Sequence, residues 1–382
     1  MNLLPLQNFL NPAFILLKEQ IFKPLSAKQK KMTLVALAIF SAMASCLLIF
    51  RFYFQAKRQD QVNPHAKNER EIPVNVQPQL ERPKDKSWRE MTPSFPTQHA
   101  ASKIIYENDS FLEVLSPFDR QIRMKSLDHV SNENFLSFYV NQIKECTTHE
   151  QERIHTYLEN INRKLKEFGI QLPETIHFIK TTGKEEIPGT AAYCRHHAII
   201  FNYMSERLLA HELFHIYSSC NPEMRRQLYA LIGYQLIPPL SVPFQLEDKR
   251  LVNPDVPYLN AYITVQWKGD KVQAVPIDLY DLNYQGLGKN QFLQGVYHKF
   301  AVVEPQEKGV MKFKWDEGGS PILFDFDEAE DLKSQIGQNT SYVDSPEEIL
   351  ADNFAMMIMG EKPQSEELIE KMKACFQNNR TI

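Results

Sequence analysis

The chain has 382 residues, 43% of them hydrophobic, and a formal net charge of −4. That apolar content is enough to bury a core and excludes a disordered polymer. The charge is nearly balanced and no long run of one sign occurs, so no basic face is expected for nucleic acid.

Residues 1–32 read as an amino-terminal tail that mixes Leu, Phe and Ile with Pro5, Pro12 and Pro24. The next segment, TLVALAIFSAMASCLLIF at 33–50, carries no charge and is preceded by Lys28, Lys30 and Lys31 and followed by Arg51. At about 1.5 Å per residue it reaches roughly 27 Å, so a transmembrane helix over 33–54 is expected, with the lipid bilayer as a partner. The lysines ahead of it fit an uncleaved signal anchor, and a single-pass protein with an exoplasmic (periplasmic or extracellular) domain is the corresponding expectation. Four cysteines, Cys146, Cys194, Cys220 and Cys375, lie beyond the span and would permit two disulfides there. Residues 55–100 then turn polar, with prolines at 64, 73, 78, 83, 93 and 96, which predicts an extended linker.

The folded domain is expected over 101–382. Apolar spacing predicts helices over 132–145 and 151–168, the second stopped by Gly169, then strands over 175–180 and 197–202. A helix carrying His211-Glu212-Leu213-Phe214-His215 follows, with Ser205 as its cap, and another over 223–232 ends at Gly233. Period-two alternation makes 261–325 mainly strand. Two helices close the chain, one over 346–359 ending at Gly360 and one over 366–376.

His211 and His215 stand four residues apart on one helix, so both imidazoles project from the same face and can reach one zinc ion at about 2.0 Å. Glu212, one residue round, lies beside the water that zinc would activate and can take its proton. Leu209, Leu213 and Ile216 are expected to turn the opposite face into the core. A catalytic zinc needs a third protein ligand, and Glu348 at the start of the 346–359 helix is the best candidate, with Glu347 beside it and His298 as alternatives. Asp352, one turn beyond Glu348, can hydrogen-bond the outer nitrogen of a ligating histidine.

HELFH with a later helix bearing Glu348, Ala351 and Asp352 resembles the gluzincin group of zinc metallopeptidases, the thermolysin-like arrangement of two histidines and a downstream glutamate. The resemblance covers two helices and implies an α+β fold, a zincin-like catalytic domain with a strand-rich insert preceded by one transmembrane helix. It implies His211, His215 and Glu348 as ligands of one Zn2+ per chain, Glu212 as general base, Asp352 as second-sphere partner, and a peptide or protein substrate. Gluzincins also supply a Tyr, His or Arg to the oxyanion; no Tyr or His follows Glu348 in the chain, so Tyr297, His298 and Tyr342 are the candidates. The leading expectation is therefore a zinc metallopeptidase. The alternatives are a zincin-fold binding or assembly protein that no longer turns over, and a hydrolase of non-peptide amides.

Overall fold

Short strands whose side chains alternate between two apolar faces form the first layer of the fold. The computed structural model describes residues 88–281, 295–306 and 310–378. In chain order come β1 (Thr92–Ser94) and four short helices, α1 (Gln98–Tyr106), α2 (Ser110–Val114), α3 (Pro117–Met124) and α4 (Asn132–Val140). The long helix α5 (Thr148–Phe168) leads into β2 (Thr175–Lys180), β3 (Ala192–Arg195) and β4 (Ala198–Phe201). These strands order β1-β2-β4-β3 and are parallel apart from β3. Ile179, Tyr193, Ala198 and Ile200 pack on α1, α2 and α4, whereas Ile176, Phe178, Ile199 and Phe201 face the main core on the other side. Because both faces are covered, every residue of β3 and β4 is buried.

The chain continues through α6 (Glu206–Cys220), α7 (Pro222–Leu231), β5 (Tyr234–Leu236) and α8 (Phe244–Glu247). A second sheet follows in β6 (Ala261–Trp267), β7 (Asp270–Tyr280), β8 (Val296–Pro305), β9 (Met311–Phe313) and β10 (Leu323–Asp325). It is antiparallel in the order β10-β8-β7-β6-β5, with β9 also paired to β8. Helices α9 (Leu332–Ile336), α10 (Pro346–Met359) and α11 (Glu366–Asn378) end the described chain. One face of this sheet, with Ile263, Val265, Ala274, Phe300 and Phe324, joins the same core as α5, α6 and α10. Leu209, Leu213 and Ile216 are fully buried there, contributing about 1.5–3 kcal/mol each.

Ser205 caps α6 by accepting from the Leu208 amide at 3.2 Å, and Ser345 caps α10 by accepting from the Glu348 amide at 3.2 Å. Gly360 closes α10 at φ 66°, a left-handed conformation that other residues reach only with strain.

Several expectations are corrected. No helix among the described residues is long and apolar enough to cross a membrane. The 21-residue α5 is amphipathic and charged, while the apolar α6 and α10 have 15 and 14 residues, short of the roughly 20 a bilayer requires. The fold class is thus α+β, with no membrane-spanning helix in the described fold to carry the expected single-pass exoplasmic placement or the bilayer contact; residues 33–54 lie outside the described residues. No disulfide joins Cys146, Cys194, Cys220 and Cys375. The end of the expected linker is folded: β1 pairs in parallel with β2, and Met91 is buried. Its Pro93 lacks an N–H, which an edge strand tolerates. Finally, the helix expected over 132–145 stops at Val140, because Ile143 turns to bridge Thr181.

Candidate metal centre

Helices α6 and α10 pack face to face, with the Phe214 and Phe354 rings 5.5 Å apart between centroids. Against this apolar contact the two helices bury five ionisable side chains: His211, Glu212 and His215 from α6, and Glu347 and Glu348 from α10. Burying so many charges is costly unless they pair with one another or with a cation.

Their geometry is convergent. Glu348 Oε2 lies 3.0 Å from His211 Nε2 and 3.7 Å from His215 Nε2. Donor atoms around one tetrahedral ion with bonds of about 2.0–2.1 Å stand roughly 3.3 Å apart, so these separations suit a single zinc. The outer ring nitrogens are held as well: His211 Nδ1 is 3.2 Å from Asp352 Oδ1 and His215 Nδ1 is 3.4 Å from Glu347 Oε1. Carboxylates there fix each ring so that Nε2 faces inward. Asp352 is itself held by Arg207 at 3.1 Å and by Thr340. Glu347, an alternative third ligand in the sequence, instead accepts from Ser218 at 3.0 Å and Tyr229 at 2.5 Å and pairs with Arg225 at 3.3 Å. It is therefore occupied on the far side of His215.

Glu212 is 2% exposed. Burial pushes its carboxyl up, His215 and His211 pull it down, and the net direction is upward. A carboxylate made more basic in this way is a better proton acceptor. The Cys194 thiol, reaching across from β3, donates to Glu212 Oε2 at 3.3 Å.

Two residues that sequence reasoning missed complete the surroundings. Asn253 donates from Nδ2 to Glu348 Oε1 at 2.6 Å, which leaves Oε2 for the inward face. Asp255 accepts from the Cys194 amide at 2.7 Å, and its carboxyl is pushed well up by burial despite the pull of His215. Asn253-Pro254-Asp255 reads in the sequence only as a turn, and no local signal links it to residues 40 positions earlier or 95 later.

The three oxyanion candidates separate. The Tyr342 ring stacks on His211, with centroids 6.5 Å apart and planes 14° apart, and the residue is 41% exposed. The Glu348 charge, then burial, hold its hydroxyl well above the usual range, so it remains a proton donor. His298 is drawn instead to Asp278 and Asp344 and does not join the group formed by His211, His215 and Glu348, so the alternative of His298 as third ligand has no geometric basis. Tyr297 is corrected: strand alternation turns it to the opposite face of β8, into the apolar cluster of Val275, Ile277 and Ala301.

Comparison of the chain with protein-family models, curated proteins and solved structures finds no match. What the centre can do is therefore read from its own chemistry.

That chemistry yields a pH prediction. Burial alone would lower the His211 pKa, but hydrogen bonds to Asp352 and Glu348 outweigh it and raise it to about 9; His215 is raised well above its ordinary value, against burial, by Asp255, Glu348 and Glu347. Metal must displace those protons. Were zinc held by these two imidazoles, its uptake at pH 7 should release protons, and apparent affinity should rise by up to about tenfold per pH unit for each proton released, the His211 contribution levelling off near pH 9. Indicator-dye titration would measure the release; pH-independent binding without proton release contradicts the ligand set.

Proposed function

We propose that this protein is a zinc-dependent hydrolase whose centre is His211, His215 and Glu348, and that its substrate is a peptide or protein. The observation that carries the reading is the convergence of two Nε2 atoms on one carboxylate oxygen, at 3.0 and 3.7 Å, with the buried carboxylate of Glu212 close enough to interact electrostatically with both histidines. A purely structural zinc has no use for that additional base.

Bound zinc would supply Lewis acidity and bring the pKa of a water towards neutrality. Glu212 would accept a proton from the attacking water and, once protonated, would give it to the leaving amine. Tyr342, exposed on one side and stacked on His211, is the donor best situated for the developing oxyanion. Asn253 and Asp352 hold Glu348 and His211 in place.

A second reading, a zincin-fold binding or assembly protein that no longer turns over, has its own supporting observation: His211 and His215 are only 7% and 4% exposed, so the centre is nearly closed. Zinc analysis together with cleavage of a broad peptide library separates the readings. The first expects zinc at this centre and cleavage, both abolished in a His211→Ala, His215→Ala variant. Zinc binding without cleavage of any peptide supports the second reading. Unchanged zinc content in the double variant excludes both.

A further inference from the structure

The antiparallel register of β7 and β8 sets Asp278 directly opposite His298, and the segment leading into α10 brings Asp344 against the pair. His298 Nδ1 lies 2.7 Å from Asp278 Oδ1 and 3.5 Å from Asp344 Oδ2, and the three groups can present donor atoms within 4.8 Å of one another. Both carboxylates address the same ring nitrogen. The spacing matches that of the His211–Glu348–His215 centre, where the corresponding separations are 3.0 and 3.7 Å.

We propose that Asp278, His298 and Asp344 form a second divalent-cation site, distinct from the centre on α6. Two carboxylates and one imidazole are a hard-to-borderline set, suited to Mn2+ or Zn2+ and unsuited to an ion that demands thiolate.

Two further observations support a cation there. Asn260 lines the same cleft as Asp278 and Asp344, and its Oδ1 is buried with no hydrogen-bond donor among the described residues. A buried acceptor oxygen left without a donor is uncommon in a folded protein and is suited to a cation or an ordered water. Secondly, burial and the neighbouring Asp278 charge push the Asp344 carboxyl up to about 7, although His298 opposes the shift. Two carboxylates crowded at one nitrogen repel each other, and a divalent ion relieves that repulsion more completely than a single imidazolium.

The test uses the full-length chain, stripped of metal and dialysed against Zn2+ or Mn2+, with bound ions counted by atomic emission and bound Mn2+ followed by electron paramagnetic resonance. Wild type is expected to hold two ions, the His211→Ala, His215→Ala variant one, and an Asp278→Asn, Asp344→Asn variant one. An ion count in Asp278→Asn, Asp344→Asn equal to that of wild type overturns the proposal and leaves His298 as an ion-paired imidazolium. If that variant does not fold, the His211→Ala, His215→Ala protein decides alone, retaining one ion on this proposal and none without it. Failure of the α6 centre gives a different pattern: one ion in wild type, kept when the histidines are removed and lost when the aspartates are replaced.

Discussion

Glu212→Gln is expected to keep the metal and the fold while activity falls by about 10² to 10⁴. Glutamine nearly matches glutamate in volume, so the interior between α6 and β3 is not repacked. One amide oxygen can still accept from the Cys194 thiol, as Oε2 does now at 3.3 Å. The loss is that of a basic oxygen. Glu212 is a buried carboxyl pushed up in pKa, and an amide has no lone pair basic enough to replace it. Zinc content should remain equal to wild type, since the converging atoms belong to His211, His215 and Glu348. Hydrolysis of a peptide library at matched zinc content is the measurement. Equal rates for both proteins would remove Glu212 from the mechanism.

Arg123→Met is expected to destabilise the domain by about 3–5 kcal/mol, the cost of removing one partner from a buried ion pair. The Arg123 side chain is fully buried between Asp119, at 2.8 Å, and Glu186, and its Nη2 donates to the Val252 carbonyl at 2.6 Å. Asp119 in turn accepts from the Val252 amide at 2.7 Å. Arg123 and Asp119 thus grip the backbone one residue before Asn253, which holds Glu348. Without the guanidinium, two carboxyls already raised by burial lose the charge that lowers them. A carboxyl whose folded pKa lies above its unfolded value favours the folded state at low pH and opposes it as pH rises. The deficit should therefore be larger at pH 7 and shrink on acidification towards pH about 4. Urea denaturation of metal-free wild type and variant across that range would measure it, and a constant deficit would contradict the electrostatic origin.

The parts of the fold legible in the sequence are those with local causes. Ser345-Pro346 and Gly360 delimit α10 from capping chemistry alone, and the structure has the same bounds, Pro346–Met359. The four-residue interval between His211 and His215 puts both rings on one face of any helix, whatever that helix packs against. Strands β2 and β4 follow from short apolar runs between turns, and β6 alternates as expected, whereas the centres of β7 and β8 are buried on both faces because apolar clusters cover each side of the sheet.

Other features depended on contacts between distant residues. A β-bridge to Thr181 ended α4 before its apolar pattern did, and pairing with β2 made a strand of a proline-bearing segment that reads locally as linker. Tyr297 and His298 look equivalent as neighbours in sequence; the pleat sends one into an apolar cluster and the other to two aspartates. Asn253, Asp255 and Cys194 acquired their places at the centre only when the 250–260 segment and β3 packed against α6 and α10. The sequence by itself determined the helical face of the two histidines and the caps of both site helices, because helix period and capping act within a few residues. Tertiary structure decided which carboxylate meets which nitrogen and which aromatic stacks on His211, because hydrogen bonds and ring contacts at those positions join residues more than 40 apart in the chain.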